Sequence, residues 1–151
     1  MGLAELFEFK SKDERELEEE EVRRSIVEEI VEELKLLCKG VGGKFKRMEN
    51  RSEINLVCHL KEPEEIYLKA INDYKGEKYI SLSPWEGLSV GFSLPSSFRL
   101  RIDFEGKGGV EMYEHEAEWT AARTVSTAIS NVRKISVHIW KDWNSVSLIL
   151  D

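Results

Sequence analysis

Four side chains near the middle of this chain have the types and spacing to bind an anion. Arg99 and Arg101 stand two apart, and so do Tyr113 and His115, each pair in a run where apolar and polar residues alternate. Two guanidinium groups offer fixed donor forks that match a phosphate or a carboxylate. Tyr113 would stack or donate a hydrogen bond, and Ser89, Gly91 and Ser93 would leave room beside them. The patch would then suit nucleic acid or a nucleotide phosphate, and a nuclease is conceivable. The competing reading is an ordinary wet sheet face on which Arg99 and Arg101 pair with Asp103 and Glu111.

Acid–base or metal chemistry has weaker candidates in His115, Glu116 and Glu111. A carboxylate and an imidazole can move a proton or hold a divalent ion. His59, His138 and Asp142 are the other appealing donors, but nothing in their spacing brings them to His115. There is no H-E-x-x-H, no paired CxxC, no P-loop and no G-x-S-x-G. The sequence therefore names no reaction, no metal and no cofactor, and it leans away from an enzyme.

These side chains are placed by a run of predicted strands. Ile54, Leu56, Cys58 and Leu60 alternate with Asn55, Val57 and His59, and Ile66, Leu68 and Ala70 with Tyr67, Lys69 and Ile71, which is the period of a strand. Tyr79 to Leu82 continues the meander as far as Pro84. A hairpin is expected next, with Phe92 opposite Leu100 and Val90 opposite Ile102. A third strand would bring Arg101 opposite Tyr113 and Arg99 opposite His115. Two further strands are expected at 135–140 and 146–150.

Two helices are expected around this sheet. The first runs from about Lys12 to Lys39, opened by the capping box Ser11 to Glu14. Val22, Ile26, Val27, Ile30, Val31, Leu34, Leu37 and Cys38 form its apolar stripe. Residues 1–21 are expected to overhang or fray, because 13–21 are polar nearly all round. The second helix is expected over Glu116 to Val132, with Trp119, Ala122, Val125, Ile129 and Val132 inward. Its other side carries Thr120, Arg123, Thr124 and Thr127, with one charge and no acid. A face so poor in charge, together with Trp143 in a turn, suggests a protein interface.

Length and composition set the frame. The 151 residues suit one α+β domain: an antiparallel β-meander of six to eight strands, with both helices packed on one face. Cys38 and Cys58 are expected as two buried free thiols acting as small hydrophobes, with a bridge between them geometrically open. Net charge is −7, and it is uneven: residues 1–40 hold thirteen acids against seven bases, so the remainder is nearly neutral. The stretch 39–51 is basic; it could dock phosphates, and is read in preference as a loop balancing the acidic helix. Charged residues reach 34%, with Glu and Lys prominent and few Met and Cys, as on the surfaces of heat-adapted proteins. No leader pattern or membrane-length apolar run is seen, so a cytoplasmic protein is expected.

The leading expectation is a small binding or adaptor protein working through protein–protein surfaces, as a homodimer or with another protein partner and with no membrane role. Nucleic-acid binding through the arginine patch is the alternative. A small-molecule carrier with a cavity between helices and sheet is the second.

Overall fold

The computed structural model describes residues 12–73, 77–95, 98–106, 109–115 and 123–141. Among these stand one helix and seven strands in a single antiparallel sheet. The helix, α1, spans Lys12–Gly40, and its inward stripe of Val27, Ile30, Val31, Leu34, Leu37 and Cys38 is buried. Glu28, Glu29 and Glu32 stay exposed on the other side, as its 3.6-residue period requires. Its C-terminus closes in a Schellman motif: the Gly43 amide donates to the Cys38 carbonyl at 2.8 Å and the Gly42 amide to that of Lys39 at 3.1 Å. Gly42 takes the left-handed conformation this motif needs, with φ of 67°.

The strands are β1 (Lys44–Glu49), β2 (Glu53–Asn72), β3 (Lys78–Trp85), β4 (Leu88–Leu94), β5 (Leu100–Gly106), β6 (Gly109–His115) and β7 (Arg123–Trp140). Their order is β4-β3-β2-β7-β5-β6, with β1 also paired to β2. The two expected strands at 54–60 and 66–71 are one strand, β2. Its ladder with β7 is interrupted between His59 and Ile66, around Pro63, which has no amide to donate. On β7 the interruption falls at Asn131, the one non-glycine described with positive φ, at 56°. The Gly106 backbone presses on this kink so closely that a Cβ there would run into the Asn131 carbonyl.

The second helix is corrected. Residues 123–132 belong to β7, and 116–122 lie outside the described residues. Val125, Ile129 and Val132 sit four and three apart, which mimics a helix face. A step of four also keeps a residue on one face of a strand. The kink at Asn131 turns the step of three into a same-face pair, so Ile129 and Val132 are both buried. The β-branched residues Thr124, Val125, Thr127, Ile129 and Val132 suit the strand.

The β4–β5 hairpin is corrected too. Phe92 pairs with Ile80 and Val90 with Leu82, on β3, whereas Leu100 and Ile102 pair with Ile139 and Val137, on β7. Alternation alone shows which face a residue takes, not which strand it meets. The basic stretch 39–51 is no loop over 44–49 but the strand β1, and Arg47 does balance the acidic helix, 3.0 Å from Glu28.

The sheet curls strongly. Lys78 at the start of β3 lies 5.4 Å from the ring of Tyr113 on β6, although these strands are far apart in the pairing order. The concave side, with α1, encloses the core, led by Phe92, Phe98 and Phe104 with the isoleucines and leucines of β2, β3, β5 and β7. Cys38 and Cys58 are joined as a disulfide, which corrects the expectation of free thiols and ties the end of α1 to β2 across a Cα–Cα distance of 5.7 Å. Gly43 passes beneath it: a Cβ there would lie 2.5 Å from the His59 carbonyl and 3.1 Å from Cys58 Sγ.

The bridge closes a sequence separation of 20 residues. Reduction should lower unfolding free energy by about 3 kcal/mol, read from urea curves with and without a thiol reductant. The kink gives a second expectation. Asn131→Val should cost about 1–2 kcal/mol because a β-branched residue resists positive φ, whereas Asn131→Gly should be nearly neutral.

Candidate functional site

The outer face of the sheet divides at the kink. On one side, cross-strand rows join β2, β7 and β5: Asn55 opposite His138, and His138 opposite Arg101; Val57 opposite Ser136, and Ser136 opposite Asp103. Residues paired in this way point to the same face. Arg101, Asp103, His138 and Trp140 therefore converge, from two strands that alternate apolar residues inward with polar residues outward.

Their contacts form a connected network. Asp103 Oδ2 accepts from His138 Nε2 at 3.0 Å and from a terminal nitrogen of Arg101 at 3.3 Å. An ionised carboxylate only accepts, so Nε2 of His138 carries the proton in this contact. The other ring nitrogen lies 3.8 Å from Glu53. Arg101 Nε sits 3.1 Å from Asp103 Oδ1, yet both atoms are buried without a hydrogen bond, so they interact as an off-axis ion pair. The guanidinium groups of Arg99 and Arg101 lie 4.6 and 5.8 Å from the Trp140 ring centre. A cation over an indole face is attracted by its quadrupole. Val57 and Ser136 point outward but are only 3% and 7% exposed, so their neighbours close over them. The Asn55 carbonyl oxygen is buried without a partner.

The sequence-predicted patch is only partly assembled. The β5–β6 register is one residue away from the expected one: Ile102 pairs with Tyr113, Arg101 with Glu114 and Leu100 with His115. A slip of one flips every side chain, so Tyr113 packs against the core, on the opposite face from Arg101. The ladder closes with Gly106 opposite Gly109, leaving two residues for the turn; the expected register assumed a longer loop. The Arg101–Asp103 pair matches the wet-face alternative.

Glu111 is exposed opposite Phe104, beside a cleft of about 400 Å³ between β6 and β7. Glu116, Thr120 and Trp143 lie outside the described residues. Arg123 is paired through its backbone with Asn72. Thr124 and Thr127 fall on opposite faces of β7, because strand alternation separates what a helix would have grouped. Among the described residues, no three His, Cys, Asp or Glu side chains gather as metal ligands.

Beyond the kink the outer face changes character. Tyr67, Ile71, Tyr79 and Trp85 are 43–49% exposed. Between them stand Ser81, Ser83, Ser93, Thr124 and Ser126, with Lys69 the only cation on the described strands of this face. Tyr79 lies across Gly91, where a Cβ would collide with its phenol. Ser83 Oγ bonds the carbonyls of Trp85 and Leu88 at 2.7 and 2.6 Å, holding the β3–β4 turn that presents Trp85. Val22 and Ile26 of α1 join Ile71, Tyr79 and Leu94 around a groove of about 480 Å³ at the sheet end. Sequence reasoning missed this surface. Its signal was Tyr67, Ile71, Tyr79 and Trp85 at the polar positions of their strands.

Comparison with known proteins finds no matching family model, no matching curated protein and no matching solved structure. Among the described residues no helix is long and apolar enough to cross a membrane.

Asp103→Ala should destabilise by about 2 kcal/mol, since it leaves the half-buried Arg101 guanidinium and His138 without their acceptor. The loss should shrink in an Arg101→Ala background, and a urea-denaturation double-mutant cycle measures that coupling.

Proposed function

We propose that this chain is a protein-binding module whose binding surface is the outer face of β2 and β3, and that the occupant of that face is a second copy of the chain. The observation that carries this reading is the exposure of Tyr67, Ile71, Tyr79 and Trp85 together on a sheet face nearly free of charge, in a chain that is 34% charged. Contiguous exposed apolar surface of this kind marks interaction sites. Small Ser, Gly and Thr neighbours let a second sheet approach to about 10 Å.

Charge favours a second copy. A net charge of −7 repels like molecules in general, so self-association needs a face where that repulsion is absent. Here Lys69 stands four residues from Glu65 on one strand, so a two-fold axis crossing the strand at Tyr67, midway between them, would bring each lysine toward the partner's glutamate. The same face argues against nucleic acid, which needs an array of cations to replace its counterions. The arginines on the other side of the kink favour it no better: Arg101 is held by Asp103, and Arg99 is stacked on Trp140. A heat-adapted cytoplasm accommodates both the Cys38–Cys58 bridge and the Glu- and Lys-rich composition, because intracellular disulfides are ordinary there and rare in other cytosols.

Sedimentation equilibrium from micromolar to about 0.1 mM should give twice the chain mass of 17.5 kDa. Ile71→Lys and Tyr79→Asp should each return the single-chain mass with an unchanged far-ultraviolet spectrum. A wild type that stays monomeric, or folded variants that stay dimeric, would overturn the reading.

A further inference from the structure

The opposite end of the sheet holds a pocket that the proposed interface does not use and that borders the polar network at Trp140. It opens between the first half of α1 and the ends of β1, β2 and β7, with a volume of about 340 Å³. Its floor is apolar: Val27, Ile54, Phe98 and Ile139 are each at most 7% exposed. Trp140 forms one wall. A volume near the lower end of the usual ligand range, roughly 300–1,000 Å³, suits a small guest.

The rim is charged, and its charges are unequally matched. Arg47 lies 3.0 Å from Glu28 and 3.7 Å from Glu49. Lys141 lies 3.5 Å from Glu49 and donates to the Asn50 carbonyl at 2.8 Å. Both carboxylates are thus neutralised by bases within the rim. Arg24 stands exposed on the rim beside Glu20, and among the described residues no hydrogen bond or ion pair holds it. Four bases line the rim against three acids, although α1 is the most acidic segment of the chain.

We infer that this pocket binds a small amphipathic carboxylate, its apolar tail on the Val27–Ile54–Phe98–Ile139 floor and its head at Arg24. The tail removes apolar surface from water at both partners, and the head supplies the acceptor that Arg24 lacks. A neutral molecule of the same shape would gain only the first contribution. A highly charged anion without a tail would gain only the second, at an exposed site where one ion pair contributes little.

Octanoate is the probe, octan-1-ol its neutral counterpart, and titration calorimetry with Trp fluorescence the readout. Octanoate should bind saturably, and octan-1-ol about threefold more weakly. Arg24→Gln should weaken octanoate about threefold while leaving octan-1-ol unchanged, and Arg24→Lys should restore most of the loss. Because Arg24 is exposed, neither variant should disturb folding, which a thermal melt checks. Octanoate binding should persist in Ile71→Lys, so this site and the proposed interface fail or stand separately. Equal binding of acid and alcohol, an unaffected Arg24→Gln, or no saturation in the millimolar range would each overturn the assignment.

Discussion

The ladder between β2 and β7 holds strands of twenty and eighteen residues side by side, and the other strands hang from it. β1 and β3 pair with opposite halves of β2, and β5 pairs with the second half of β7. Two strands this long cannot stay flat, because each carries the right-handed twist of L-residues. The break around Pro63 and Asn131 takes up that twist in one place and lets the sheet fold toward itself. The Lys78–Tyr113 approach and the close passage of Gly106 over the kink both follow from this bend. The disulfide then fixes α1 to β2 next to the break, so the helix end cannot slide as the sheet curls.

The same bend separates two chemistries on one outer face. Before it, Arg101, Asp103, His138 and Trp140 contact one another, although Arg101 Nε, Asp103 Oδ1 and the Asn55 side-chain oxygen stay buried without a hydrogen bond. After it, Tyr67, Ile71, Tyr79 and Trp85 stand open among hydroxyl groups. Burying a Ser or Thr hydroxyl costs little when it is already bonded, as Ser83 is to two carbonyls. An interface formed there would lose aromatic exposure without stranding charge. An interface on the first half would have to desolvate the Arg101–Asp103 pair, whose mutual attraction rarely exceeds that penalty by much.

Much of the frame was legible in the sequence. The helix stripe, the alternation in β2 to β6 and the antiparallel character follow from periods of 3.6 and 2. Register did not follow, because the side-chain pattern is unchanged when the strand partner is exchanged or the turn is shortened by a residue. That is why Arg101 met Glu114 in place of Tyr113, and why Phe92 met Ile80 in place of Leu100. The second helix failed for a related reason: a kinked strand reproduces helical spacing at Val125, Ile129 and Val132. The His138–Asp103 contact depends on the β5–β7 pairing, which joins residues 35 apart. Only the residue types were visible beforehand. The Cys38–Cys58 bridge likewise needed the helix end to be brought against β2.

Charge along the chain also takes on a structural meaning. Edge strands invite pairing with other chains, and lysine or a covering helix blunts them. β1 lies on an edge and reads Lys44-Phe45-Lys46-Arg47, with Lys44 and Lys46 exposed. β4 ends the pairing path at one side, where α1 packs against it, and β6 ends it at the other, with Val110 and Met112 exposed. The acidic face of α1 and the basic edge of β1 meet through Glu28 and Arg47, so the −6 of the first forty residues is partly answered by the segment that follows. With β1 and β4 guarded in these ways, β6 remains the open edge, and the outer sheet face is the other surface open to contact. Face-to-face packing also keeps the ladder hydrogen bonds intact, whereas edge addition on β1 would press its lysines against another backbone. A near-neutral face on a strongly charged molecule therefore suits the association proposed above, while the proposed Arg24 pocket lies at the far end of the sheet, away from it.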